Sequence, residues 1–284
     1  MEMLPANKKV VRDATSNLKI WVYGQPNIGK TTLANQFPDA LMLNTDGNYK
    51  GVDSPVVPIT DWEQFVETCD EILKGEHEFK TIVIDLLEDV YTYCRNYYCK
   101  KLKIDHEADL GYGKGYDIIK TAFLIVIRKL ANSPYNLLCL SHEKEVIVKD
   151  RIGRETTVYK PNFTDGTAIK LSGMMEITGR LYAETKDEDG VKIETRKLFV
   201  GSASDMFAGN KVKSLKVDSI LMDETNGYSN LVKAVKDEPI VFGKENPFNA
   251  ANIEVTTENI PKVEEKEEDD NVPPSFLKVT RKKD

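Results

Sequence analysis

This sequence predicts an α/β fold: a mainly parallel central sheet flanked by helices and extended by a β-hairpin and antiparallel strands. Three observations carry that expectation. Short apolar segments alternate with amphipathic ones as far as residue 141, a glycine-rich turn joins the first apolar segment to a helical one, and past residue 142 the pattern changes to alternating runs separated by turns.

Each element has its own warrant. Residues 1–17 are polar with little periodicity and form an N-terminal arm. Leu18 to Tyr23 (LKIWVY) is aromatic and β-branched, ends on glycine, and reads as a buried strand. The segment TTLANQF is a short helix, and Ala40 to Thr45 (ALMLNT) a second strand. Asp61 to Lys74 sets Phe65, Cys69, Ile72 and Leu73 on one side of an amphipathic helix, and Lys80 to Asp85 (KTIVID) is a third strand. Helices over 86–103 and 114–131 precede a strand at Tyr135 to Ser141. Next, EVIVKDRIGRETTVYK holds two alternating runs around Asp150 to Arg154, a hairpin with glycine in its turn. TDGTAIKLSG is a connecting stretch, Met174 to Glu184 and Lys192 to Val200 pair across an acidic turn, Gly201 to Lys213 is a polar loop, and Ser229 to Lys236 is a last helix. Residues 18–242 make the core, and 243–284, rich in Asn, Pro, Glu and Thr without apolar period, make a disordered acidic tail.

Composition narrows the function. A chain of 284 residues with 40% hydrophobic side chains buries a full core, which excludes a disulfide miniprotein or a wholly disordered chain. No apolar run reaches about 18 residues and the N-terminus lacks a secretory core, so the expectation is a soluble cytoplasmic protein without a membrane partner. Cys69, Cys94, Cys99 and Cys139 show no metal spacing and read as reduced core thiols. The net charge of −7 at first argues against nucleic acid, but Glu264 to Asp270 alone carries six acids and one base. Without that segment 38 basic residues face 40 acidic ones, and a near-neutral body has room for a basic face.

Gly24-Gln25-Pro26-Asn27-Ile28-Gly29-Lys30-Thr31 fits GxxxxGK[ST] at every fixed position, with Thr32 following. The glycines let backbone N–H groups face phosphate oxygens, Lys30 brings a charge to the β- and γ-phosphates, and the Thr31 hydroxyl ligates Mg²⁺. ATP with Mg²⁺ is the expected ligand. Asp85, closing an apolar strand, is the expected second Mg²⁺ carboxylate; a helix N-cap aspartate is the alternative there. Asp46, in Asn44-Thr45-Asp46-Gly47, is the candidate for orienting the attacking water, with a turn aspartate as its plainer reading. Glu88 competes, but three residues past Asp85 on a helix start it is expected to point away from the strand ends. His142 ends the strand LLCLSH and is placed to sense the γ-phosphate, or to serve as an ordinary structural histidine. Guanine-specific [NT]KxD is missing, since Asn210-Lys211-Val212-Lys213 and Thr185-Lys186-Asp187-Glu188 both fail at the last position.

The loop GQPNIGKTTLA, the strand-end NTDG, TIVID, Gly111-Tyr112-Gly113-Lys114-Gly115-Tyr116 and LCLSHEKE together resemble the phage-encoded RecA-core P-loop ATPases associated with single-strand annealing, over roughly residues 17–240. That resemblance implies a RecA-like P-loop NTPase core and a catalytic role for Asp46, Lys30 and His142. It also implies slow, DNA-stimulated ATP hydrolysis, with Asp46 one methylene shorter than the usual glutamate. Single-stranded DNA, a homo-oligomer and the host cytoplasm are implied as well.

Three basic stretches are candidates for the DNA surface. Tyr93 to Lys103 interleaves tyrosines with Lys100, Lys101 and Lys103, a mixture able to track a backbone and stack bases, or simply a solvated helix face. The hairpin Lys144 to Lys160 carries Arg151 and Arg154 at its tip, and Lys192 to Lys216 holds Arg196, Lys211 and Lys213, of which Lys211 and Lys213 suit DNA or a neighbouring subunit's γ-phosphate; Lys114, in the glycine–tyrosine run, is a further candidate outside these stretches. The acidic tail either solvates the protein or recruits a single-strand-binding protein or another replication partner through Pro273 to Leu277. Two rival functions stay open: an ATP-switched protein-interaction module, and a helicase-loader or packaging-type motor.

Overall fold

The computed structural model describes residues 15–48, 50–149, 151–188 and 191–240. The expected N-terminal arm as far as residue 14 and the expected tail 243–284 lie outside these residues.

The sheet runs along the order β10-β8-β7-β1-β5-β4-β2-β3. Its central strands are β1 (Lys19–Gly24), β2 (Ala40–Asn44), β4 (Thr81–Asp85) and β5 (Asn136–Lys149), and the short β3 (Val56–Pro58) closes one edge. All four of the pairings β1–β5, β5–β4, β4–β2 and β2–β3 are parallel. β1, β2 and β4 are buried at every residue, as continuous apolar strands covered on both faces must be. On the other side β7 (Ile177–Glu188) lies parallel to β1, and then turns the sheet antiparallel through β8 (Val191–Phe199) and β10 (Ser219–Leu221). This is the expected mixed α/β arrangement, a mainly parallel sheet with antiparallel additions.

Two apolar layers sandwich the sheet. One face packs α2 (Trp62–Lys74), α3 (Leu87–Leu102), α4 (Lys114–Ala131) and α5 (Asp165–Met174), with Phe65, Leu87, Phe123 and Ile127 fully buried among strand residues Trp21 and Ile84. The other packs α1 (Lys30–Asn35) and α6 (Gly227–Val235), where Leu33 and Leu231 meet Val22, Leu181 and Leu198. Helix α2 starts where Asp61 accepts the Gln64 N–H, a cap worth about 1 kcal/mol, and stops at Gly75 in the left-handed region. All four cysteines are unpaired and buried. No helix among the described residues is long and apolar enough to cross a membrane.

The structure departs from the sequence reading in several places. TDGTAIKLSG is not a connecting stretch but α5, held because Thr167, Ala168 and Leu171 bury one side of it. The strand expected to end at Ser141 continues through His142 to Lys149 and returns as β6 (Glu155–Pro161), with Glu143 opposite Pro161. Within the expected loop Gly201 to Lys213, Gly209–Asn210 forms β9 against β7. β3 and β10, three residues each, carry too little pattern to be read from sequence.

Candidate functional site

The parallel strands point their C-terminal ends to one rim, where open α/β sheets bind ligands. β1 delivers the loop Gly24 to Thr31 there, and the neighbouring strands deliver His142 (β5), Asp85 (β4) and, just past β2, Asp46. Since β5 lies between β1 and β4, His142 stands between the loop and Asp85 in strand order.

The loop needs its glycines for two separate reasons. A Cβ on Gly24 would sit 2.4 Å from the Leu181 carbonyl oxygen of β7, and Gly29 adopts φ +102 at the entry to α1. Gln25, Pro26, Asn27 and Thr32 are exposed on the rim, whereas Lys30 is buried. Its Nζ donates to the Gly24 and Gln25 carbonyls at 3.0 and 2.8 Å, so the ammonium lies inside the loop's own curl. Burial lowers its pKa, opposed by the charges of Asp85, Glu88, Glu143 and Asp46.

The Thr31 hydroxyl donates to Asp85 Oδ2 at 2.9 Å. Two hard oxygen donors, one from the loop and one from the strand end, fit a Mg²⁺ shell that keeps several waters. Burial pushes the Asp85 carboxyl up to about 6, against the Thr31 hydrogen bond, with Asp46 adding repulsion. A divalent cation beside it would reverse that shift. The β2 end is tied to the same strand: Thr45 N–H and Oγ1 donate to the Asp85 carbonyl at 2.7 and 3.2 Å, and Oγ1 lies 2.9 Å from Asp89 Oδ2.

Asp46 is exposed and fixed by a turn. Its Oδ1 accepts from the Asn44 amide and the Asn48 backbone N–H, each at 2.9 Å, and its Oδ2 from the Asn48 amide at 3.3 Å. Partial burial would raise its pKa, but these bonds, with His142 nearby, outweigh that and lower it. The carboxyl is thus held as an anion, close enough to Lys30, Asp85 and His142 to act on the charge of each.

Glu88 corrects the sequence reading, which turned it away from the rim. It is 9% exposed, and its Oε1 accepts the His142 backbone N–H at 2.7 Å and lies 3.1 Å from His142 Nδ1. Oε2 is buried with no hydrogen-bond partner among the described residues. Burial pushes this carboxyl up to about 7, against the bond from His142. Leu86 is extended (φ −109, ψ 147) and serves as N-cap, so the helix starts one residue later than an immediate start after Asp85 would allow. His142 itself has a lowered pKa, from burial and then Lys30, and with Nδ1 facing Glu88 its Nε2 is left for other partners.

Just past His142, Glu143 receives Nε and Nη2 of Arg180 at 2.8 and 3.1 Å, and the guanidinium lies 3.5 Å from the Tyr159 ring centroid. This buried fork anchors the base of the β5–β6 hairpin to β7; deleting one partner of such a pair costs about 3–5 kcal/mol. The arm beyond it is exposed, with Arg151 and Arg154 near the tip and the apolar side chains Ile147, Val148 and Ile152 uncovered.

The other basic candidates stand elsewhere. α3 leaves the rim at Leu87 and, at 16 residues, carries Lys100 and Lys101 about 20 Å along its axis, with Lys103 as its C-cap. Tyr97 and Tyr98 are half-buried there, and Lys101 Nζ lies 5.3 and 5.6 Å from their ring centroids. Lys114 is exposed at the start of α4, beside the fully exposed Tyr112. Lys211 departs from expectation: its ammonium donates to the carbonyls of Ser172, Gly173 and Met175, capping the end of α5, so all three of its protons are occupied away from a phosphate. Lys213 is exposed.

A family model described as an AAA domain matches residues 16–212, which take in every strand-end residue of this rim. No curated protein matches the chain.

Proposed function

This chain belongs to the AAA-domain family, a family of P-loop ATPases, and on that premise we propose that it is a Mg-ATP-dependent ATPase that binds single-stranded DNA and promotes annealing or recombination in phage DNA metabolism. The observation that carries the ATPase reading is the Thr31–Asp85 hydrogen bond beside a Lys30 enclosed by its own loop. Gly24 to Thr32 bind the phosphates, and Thr31 and Asp85 would hold Mg²⁺, which when bound would supply charge neutralisation to the phosphate oxygens. Asp46, held as an anion by its turn, orients the attacking water by accepting a hydrogen bond. His142, oriented through Nδ1 by Glu88, presents Nε2 toward the terminal phosphate.

The DNA part of this reading is supported by continuity. β5 is one strand from the core through His142 into an exposed arm of about 25 Å, so continuous backbone joins His142 to the arm's base. Arg151 and Arg154 offer phosphate contacts and the uncovered Ile147, Val148 and Ile152 offer apolar contact to bases. The α3 patch, at the far end of its helix, is less suited to nucleotide control. The protein would act as a homo-oligomer in the host cytoplasm, its acidic tail recruiting a replication partner.

Retention of labelled single strands with and without ATP, across a salt series, tests this. Binding that weakens with salt and changes with ATP is expected. Absence of binding in both conditions would favour the rival, an ATP-switched protein-interaction module.

A further inference from the structure

The antiparallel side of the sheet brings a second cation to the loop that holds Lys30. We infer that Arg196, on β8, is a further nucleotide-binding residue, pairing its guanidinium with the phosphate chain in the same subunit. The inference rests on the reading that Gly24 to Thr31 bind a nucleoside triphosphate.

The path from sequence to contact is short. β7 runs beside β1 so closely that Leu181 faces Gly24, and two residues further on Ala183 faces Arg196 of β8. Because side chains alternate along a strand, Arg196 emerges on the same face as Leu198 and Leu181, the face that packs against Leu33 of α1. Ala183 is exposed and offers only a methyl, which leaves a lane across β7. An arginine reaching from β8 to the loop that follows β1 has to cross β7, and Ala183 is the residue of β7 opposite it. Nη1, Cδ and Cζ of Arg196 are 3.1, 3.9 and 4.0 Å from the point where a Cβ on Gly29 would sit, and Gly29 immediately precedes Lys30.

Two cations therefore converge on one loop. Among the described residues Arg196 is ion-paired with Glu194, an exposed residue of its own strand, whose Oε1 is 3.5 Å from Nε, long for a charge-assisted bond. A planar guanidinium matches phosphate oxygens two at a time, so a chain of phosphates along the loop satisfies Arg196 and Lys30 together. Glu194, weakly engaged, is displaced at little cost.

The test is calorimetric titration of the full chain with ATP, ADP and inorganic tripolyphosphate. Arg196→Ala should weaken all three about ten- to a hundredfold, and Arg196→Lys should recover part of the loss. Ala183→Leu, at an exposed position, keeps the arginine but closes its lane, and should weaken them in the same direction with an unchanged melting temperature. Wild-type affinities in both Arg196→Ala and Ala183→Leu would overturn the inference. So would a loss for ATP and ADP with tripolyphosphate unaffected, which would assign Arg196 to the nucleoside. Lys30→Ala separates the two levels: if it leaves ATP affinity unchanged, or wild type binds no ATP, the loop reading fails and takes the Arg196 assignment with it.

Discussion

Asp46 and Glu88 flank the same rim in opposite environments. Asp46 stands in solvent at the end of β2, three hydrogen bonds keeping its carboxyl below the usual range. Glu88 is buried at the start of α3, pushed up to about 7, with one oxygen on His142 and the other without a partner. An anion that stays charged suits orientation of water, whereas a carboxyl titrating near neutrality suits setting the state of a neighbouring histidine. The contrast teaches that distance along the chain from Asp85 does not decide a carboxylate's role; its surroundings do.

The largest expected effect lies outside this pair and tests the rim as a whole. Lys30→Ala should abolish measurable ATP turnover, a loss of at least about a hundredfold, because it removes the charge enclosed by the loop. Steady-state hydrolysis reads this, and wild-type turnover would remove the rim from the chemistry.

Next come the two carboxylates. Asp46→Asn should leave ATP affinity near wild type and lower turnover about tenfold to a hundredfold, as loss of a water-orienting acceptor does. Glu88→Gln should cost less, about tenfold, and flatten the pH–rate profile between pH 6 and 8, the region set by the shift of Glu88 to about 7. A larger turnover loss in Glu88→Gln than in Asp46→Asn would exchange the two roles.

Stability should separate them too. Asp85 and Glu88 have folded-state pKa values of about 6 and 7 against ordinary values of 3.8 and 4.5. The folded protein thus holds protons the unfolded chain has released, and nucleotide-free stability should fall as pH rises from about 4.5 through 7. Glu88→Gln removes its share of that fall, raising the melting temperature at pH 8 by a few degrees, while Asp46→Asn should not. The lowered pKa of His142 opposes this fall below pH 6.5, so the Glu88→Gln difference at pH 8 reads the carboxylate shift, and an unchanged or lower melting temperature in that variant would contradict it.

The smallest effect concerns the arm. Replacing Arg151 and Arg154 with alanine should weaken single-stranded DNA binding several-fold and reduce the salt slope by about 1–2, leaving DNA-free ATP turnover unchanged. An unaltered slope would move the contacts elsewhere, with the α3 lysines the next to test.

Sequence legibility followed the range of each signal. The phosphate loop was readable because its chemistry depends on local residue types at fixed spacing, and Asp85 because an apolar run ends on an acid. Glu88 was misread because its direction depends on the extended Leu86 and on the neighbouring β5, neither visible in helical spacing. Helix α5 was hidden by its two glycines and Thr167, which weigh against a helix unless packing of Leu171 outweighs them. Arg196 lies in the locally basic stretch Lys192 to Lys216, but its approach to Gly29 is not legible there, because it spans more than 160 residues and exists only through the pairing of β1, β7 and β8.

The most direct measurement is the rate of Mg-ATP hydrolysis by the full chain with and without single-stranded DNA. Slow turnover that rises on adding single strands, and is lost in Lys30→Ala, is the predicted result. Turnover that is absent under both conditions, or that survives in Lys30→Ala, would contradict an ATPase centred on this rim.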